Sequence, residues 1–117
     1  MKKTKMLKKN YEFRKVLTKG KYYSGNNIEA FISKNNNKNF NFLGLAVSTK
    51  VGKAVRRNSI KRLIRENYKV LEPEIKSGNS IVFMWKKKSS IENATYQNVE
   101  KDMNTIFEKS NLKIKEI

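Results

Sequence analysis

Two hydrophobic periods alternate along this chain of 117 residues and divide it into elements. The first is helical. Asn10 precedes Phe13, Val16 and Leu17 on one face and Gly20 closes the run, which predicts a short helix with Asn10 as its N-cap. From Tyr22 the texture turns extended. Ile28, Ala30 and Ile32 alternate with Glu29, Phe31 and Ser33, the period-two pattern of a half-buried strand. The run Asn35, Asn36, Asn37, Lys38, Asn39 interrupts it as a loop. Leu43, Leu45 and Val47 then alternate with Gly44, Ala46 and Ser48. That second face is small enough to let a backbone or a ligand approach closely.

The longest helical pattern runs from about Arg57 to Leu71 and stops at Pro73, the single proline. At about 100° per residue, Ile60, Leu63, Ile64, Tyr68 and Leu71 share one arc, with Asn67 as the polar intruder. Gly78 and Asn79 turn the chain into Ile81–Trp85, a continuous apolar run suited to a strand covered on both faces and paired in parallel with an earlier one. A last helix near Thr95–Ser110 places Tyr96, Val99, Met103, Ile106 and Phe107 on one stripe. The order of elements predicts one α+β domain over residues 1–117, an α/β two-layer sandwich with helices packed on a sheet. Residues 1–8 are expected to form a flexible basic N-terminus.

Charge changes this picture most. Lys and Arg number 27 against 10 acids, a net charge of +17. A field of that size attracts a polyanion, either nucleic acid or an anionic membrane surface. The longest apolar run is far too short to span a membrane. No hydrophobic stretch of signal-peptide length follows Lys2, Lys3 and Lys5, so a cytoplasmic protein is expected. The arginines are more informative than the lysines. Four of the five (Arg56, Arg57, Arg62, Arg65) fall within ten positions, and arginine's planar fork grips phosphate bidentately where lysine acts as a point charge.

The residues offer little for catalysis. There is no His and no Cys, and Asp102 is the only aspartate. The glutamates are scattered, a serine nucleophile would have only lysine as a base, and the glycines match no phosphate-cradling loop. No catalytic or metal-ligating residue is therefore assigned to the protein. Recognition is better served. Between Lys50 and Lys69 stand eight basic residues and one acid, Glu66. A solvated helix face normally mixes its signs, whereas this one stores repulsion that a bound polyanion would relieve. The helix N-terminus near Arg57 and Asn58 adds backbone donors for phosphate, and Gly52 is read as permitting a tight approach to it. The aromatic residues Phe13, Tyr22, Tyr23, Phe31, Phe40 and Phe42 lie early in the chain and include candidates for stacking unpaired bases.

The stretch from Lys50 to Glu66, KVGKAVRRNSIKRLIRE, resembles the signature of the bacterial ribonuclease P protein family. Lys50, Gly52, Ala54, Val55, Arg57, Asn58, Lys61, Arg62 and Arg65 match its pattern, and the resemblance extends upstream through Leu43–Ser48 and Glu12–Val16 and downstream to the closing strand and helix. Ser59, Thr49 and Leu17 depart from it, the last replacing an aromatic residue. The resemblance implies a fold like domain 2 of ribosomal protein S5, in the order α-β-β-β-α-β-α, with the Arg-rich helix as a left-handed crossover. It also implies a partner RNA subunit that performs Mg²⁺-dependent removal of the 5′ leader from precursor tRNA, with the protein alone inactive and holding no metal or cofactor of its own. Lys50, Lys53, Arg56, Arg57, Asn58, Lys61, Arg62 and Arg65 would then face RNA, and Phe13, Leu17, Phe31, Ala46 and Ser48 would line a cleft for the single-stranded leader. Neither a membrane nor DNA is expected as a partner. An rRNA-binding ribosomal protein is the alternative reading of the same size and charge.

Overall fold

The computed structural model describes residues 1–114; the last three positions of the expected domain, 115–117, lie outside the described residues. Five strands and three main helices follow one another as β1 (Thr4–Met6), α1 (Asn10–Lys19), β2 (Lys21–Ser24), β3 (Ile28–Ser33), β4 (Asn41–Ala46), α2 (Ala54–Leu71), β5 (Ser80–Trp85) and α3 (Tyr96–Lys109). The strands form one mixed sheet in the order β1-β4-β5-β3-β2. β1 and β5 both run parallel to β4, and β3 runs antiparallel to β5 and β2. The α+β class and the parallel pairing of Ile81–Trp85 match the sequence pattern.

The period-two alternation decides how the sheet is covered. Ile28, Ala30 and Ile32 of β3, Leu43 and Leu45 of β4, and Ile81, Phe83 and Trp85 of β5 point to one face. There they meet Ile60, Ile64, Tyr68 and Leu71 of α2 and Val99, Met103, Ile106 and Phe107 of α3, almost all fully buried. The opposite face carries Val82, Phe31, Phe42 and Met84, and α1 lies on it through Phe13 and Val16. Val82 is fully buried between its neighbours and α1, as a strand covered on both faces requires.

Gly44 explains why α1 can lie so close. A Cβ at this position would fall 2.6 Å from Cε1 of Phe13 and 3.0 Å from Cδ1 of Leu7. The small second face of β4 therefore receives the Phe13 ring, a side chain of the protein's own helix. Gly20 ends α1 for a related reason, since its Cβ would meet the Val16 carbonyl at 2.5 Å and the Ile32 backbone at 3.1 Å. Gly52 proves different from its sequence reading. Its backbone is extended, and a Cβ there would make only ordinary contacts at 3.6 Å.

The N-terminal segment corrects an expectation. Residues 1–8 contribute β1, an edge strand, and are held by the Asn41 amide to the Lys3 carbonyl (2.7 Å), the Leu7 amide to the Leu43 carbonyl (2.8 Å) and the Lys2 amide to Glu72 (3.0 Å). Beneath β1, the Thr4 hydroxyl lies 2.6 Å from the Tyr68 hydroxyl, which also accepts from Asn41 Nδ2 at 3.3 Å. A three-residue strand among lysines carries too little periodicity to announce itself. Helix limits shift as well. Lys9, not Asn10, is the N-cap of α1, and its amide donates to Glu12 at 2.9 Å. α2 begins at Ala54, three residues before its apolar stripe suggested.

Candidate nucleic-acid interface

α2 is built with an open positive end. Its N-cap residue, Lys53, supplies no side-chain hydrogen bond, and the first turn contains no acid. The amides of Arg56 and Arg57 reach back to the Lys53 carbonyl at 3.0 Å, leaving the amides of Ala54 and Val55 outside the helix ladder. An ordinary helix covers such donors with Ser, Thr, Asp or Glu. Here the dipole's positive end meets Lys50, Lys53 and Arg56, all exposed. Among the described residues none of these three forms a salt bridge.

The basic side chains of α2 divide into groups with different surroundings. Arg57 is half-buried, and its Nη1 donates to the Gly52 carbonyl at 2.8 Å. One arm of its fork thus fastens the segment before α2 while the rest faces outward. Arg62 is exposed and tied to Glu66, Nε to Oε1 at 3.0 Å, an i,i+4 pair. An exposed pair of this kind contributes only about 0.3–0.5 kcal/mol and is easily exchanged for a phosphate. Asn58 is exposed, Lys61 and Arg65 are half-exposed on the same side, and neither of these two is in an ion pair among the described residues. Arg57, Lys61 and Arg65 recur every fourth residue, so they form one row along the helix.

Of the residues singled out for a cleft, Phe13, Phe31 and Ala46 stand on the α1 face of the sheet. Phe13 rests on Gly44. Leu17, 37% exposed, is one turn farther along α1. Phe31 pairs with Val82 across β3 and β5, and Tyr22 stands opposite it on β2 with ring centroids 5.3 Å apart. Ala46 ends β4 beside Met84. Ser48 sits just past the strand, where its hydroxyl accepts from the Lys50 amide at 3.2 Å and starts a single 3₁₀ turn over Thr49–Val51. That turn joins the end of β4 to the α2 N-terminus, so this strand and the basic row are consecutive in sequence. On the other flank of α1, Tyr11, Lys15 and Lys19 face the asparagine loop across a separate hollow of about 450 Å³ that also includes Phe42 and Ser80.

Register adds three residues that the motif did not single out for the groove. Glu29, Met84 and Tyr22 share the face of Phe31, because Glu29 lies two residues from Phe31 along β3 and opposite Met84 on β5. Period two along β3 was the signal for Glu29. Met84 required knowledge of which strands pair. The Tyr22 hydroxyl donates to Glu29 Oε2 at 2.7 Å, and this bond to a carboxylate is the chief reason its pKa lies above the ordinary tyrosine value. Metal chemistry finds no donor set: among the described residues no three of His, Cys, Asp and Glu gather closely enough to hold an ion.

Comparison with known proteins identifies the family. The family model for ribonuclease P matches residues 1–111. The chain belongs to the ribonuclease P protein family. The ribonuclease P protein component of Clostridioides difficile strain 630 is 36% identical over 112 residues, covering 95% of this chain and 96% of the relative. That of Clostridium botulinum strain Loch Maree is 39% identical over 107 residues, covering 91% and 94%. Among solved structures, the RNase P protein of Staphylococcus aureus superposes with a TM-score of 0.81 at 27% identity, covering 93% of this chain and 97% of that one. The family model therefore spans every strand and helix from β1 to α3.

Proposed function

We propose that this chain is the RNA-binding subunit of a ribonucleoprotein endoribonuclease that removes the 5′ leader from precursor tRNA. One observation carries the reading: a helix of almost one sign of charge, uncapped at its positive end, follows directly on a sheet whose α1 face carries the aromatic side chains of Phe13 and Phe31. In this reading α2 binds the catalytic RNA. Lys50, Lys53, Arg56 and the free amides of the first turn hold phosphates, and Arg57, Lys61 and Arg65 follow the backbone, with Asn58 and Arg62 beside them. The groove of Phe13, Leu17, Phe31, Ala46 and Ser48 takes the unpaired leader, whose bases can stack on aromatic faces where a duplex could not. Mg²⁺ chemistry belongs to the RNA subunit. The protein's part is to add leader affinity and to offset backbone repulsion, which lowers the Mg²⁺ needed for substrate binding.

An rRNA-binding ribosomal protein shares the size and charge but has no use for a leader groove joined to the basic helix. The test is reconstitution of the protein with its cognate RNA subunit and a precursor tRNA at low Mg²⁺. A strong gain in cleavage over RNA alone supports the proposal. No gain, or a gain equal for substrates with and without a leader, would return the ribosomal reading to the front.

A further inference from the structure

Glu29 is out of place in a chain of net charge +17. It lies half-buried on the groove face of β3, and among the described residues it pairs with no Lys or Arg. Its partner is instead the Tyr22 hydroxyl, which donates to Oε2 at 2.7 Å. Tyr22 in turn packs edge-on against Phe31. A hydroxyl that shares one oxygen orients the carboxylate without using up its acceptors, since an ionised carboxylate offers about four lone-pair sites. Glu29 and Phe31 are two residues apart along one strand, about 7 Å. Both stand on the same face of the sheet, so Glu29 is within reach of a base stacked on Phe31.

We infer that Glu29, oriented by Tyr22, selects the leader nucleotide stacked at Phe31, and that it favours guanine. The inference rests on the leader-groove reading above. A carboxylate only accepts hydrogen bonds, and it repels phosphate, so it turns a nucleotide base-inward. Of the four bases, guanine alone presents two adjacent N–H donors, N1–H and N2–H, on its Watson–Crick edge, spaced to meet the two oxygens of a carboxylate. Cytosine and adenine offer one amino group beside a ring acceptor. Uracil sets its single N–H between two carbonyls, which the carboxylate repels. Charge-assisted hydrogen bonds of this kind are roughly twice as strong as neutral ones.

The experiment uses the reconstituted holoenzyme and precursor tRNAs whose leader is varied one nucleotide at a time, with guanine, uracil or inosine at each position. Affinity is measured for the wild-type protein, Glu29→Gln and Phe31→Ala. One leader position should favour guanine over uracil by about tenfold or more, as a bidentate base contact does. Inosine, which lacks the 2-amino group, should fall between them. Glu29→Gln should level the preference while keeping leader-dependent affinity. If no position discriminates, or if Glu29→Gln discriminates as the wild type does, the inference is overturned while a leader-specific loss in Phe31→Ala leaves the groove reading intact. If Phe31→Ala weakens substrates with and without a leader equally, the groove reading fails and this inference falls with it.

Discussion

Replacing Gly44 by alanine tests whether the α1 face of the sheet is shaped by the Phe13 ring. The new methyl would stand 2.6 Å from Phe13 Cε1, 3.1 Å from its Cζ and 3.0 Å from Leu7 Cδ1. Ordinary carbon contacts lie at about 3.5–4.0 Å, so the ring must retreat by about 1 Å or swing off the sheet. Overpacking of this order costs about 1–3 kcal/mol. Against it stands the smaller entropy of the unfolded chain, which favours Ala over Gly by about 0.4–1 kcal/mol. The net expectation is a loss between about 0 and about 2.6 kcal/mol by these two terms, and a difference of about 1–3 kcal/mol from a variant without the clash. Gly52→Ala is the matched control, because its methyl meets nothing nearer than Arg56 at 3.6 Å. Only the unfolded-state term then remains, and the variant should be neutral or slightly more stable. Urea denaturation of both variants reads the difference, as a shift in midpoint at unchanged slope. Under the proposed function, in which Phe13 is one wall of the leader groove, Gly44→Ala should also weaken leader-dependent substrate binding. If Gly44→Ala is as stable as Gly52→Ala, Phe13 does not pack where the sheet leaves room for it, and the groove has another shape.

Three further expectations follow from single contacts. Asp102 accepts the amides of Asn26, Asn27 and Ile28 at 3.0, 2.7 and 3.1 Å, so Asp102→Ala strands one buried and two part-buried donors and should cost about 2–3 kcal/mol in the same denaturation assay; a loss below about 0.5 kcal/mol, the level of a plain surface change, would deny it that role. Arg57→Lys keeps the charge but loses the 2.8 Å bond to the Gly52 carbonyl, and should destabilise by about 1 kcal/mol where Arg62→Ala, an exposed partner of Glu66, costs less than about 0.5. Phe31→Ala should cost about 1–3 kcal/mol of affinity, read by binding titration, and only for substrates that carry a leader.

Where local pattern sufficed, the chain was legible. The stripe Ile60, Ile64, Tyr68 and Leu71 and the stop at Pro73 define α2's core face and its end, and the apolar run Ile81–Trp85 is the strand covered on both sides. The start of α2 was hidden because Lys53–Arg56 has neither a capping side chain nor an apolar period. β1 was hidden because its partner, Asn41–Leu43, is more than thirty residues away and its anchors, Tyr68 and Glu72, belong to another part of the chain. The basic row could be read from spacing alone. That Arg57 is half engaged with Gly52 and Arg62 with Glu66 could not, since each depends on a rotamer. That Phe13, Phe31 and Ala46 share one face of the sheet depends on strand order, which no single segment encodes.

The central claim is that α2 presents a phosphate-binding site, something more than a share of the general positive charge. It is tested most directly by the affinity for the RNA subunit as a function of salt concentration, for the wild type, a Lys61→Ala/Arg65→Ala double variant and a Lys76→Ala/Lys101→Ala double variant. Both doubles remove two positive charges, and Lys76 and Lys101 are exposed and lie outside the α2 row. Each lost phosphate contact should reduce the slope of log affinity against log salt by somewhat under one unit. The α2 double should therefore lose close to two units of slope along with affinity, and the control should keep nearly the wild-type slope. Equal losses in the two doubles would mean that binding follows net charge alone, and that the row of Arg57, Lys61 and Arg65 is no site.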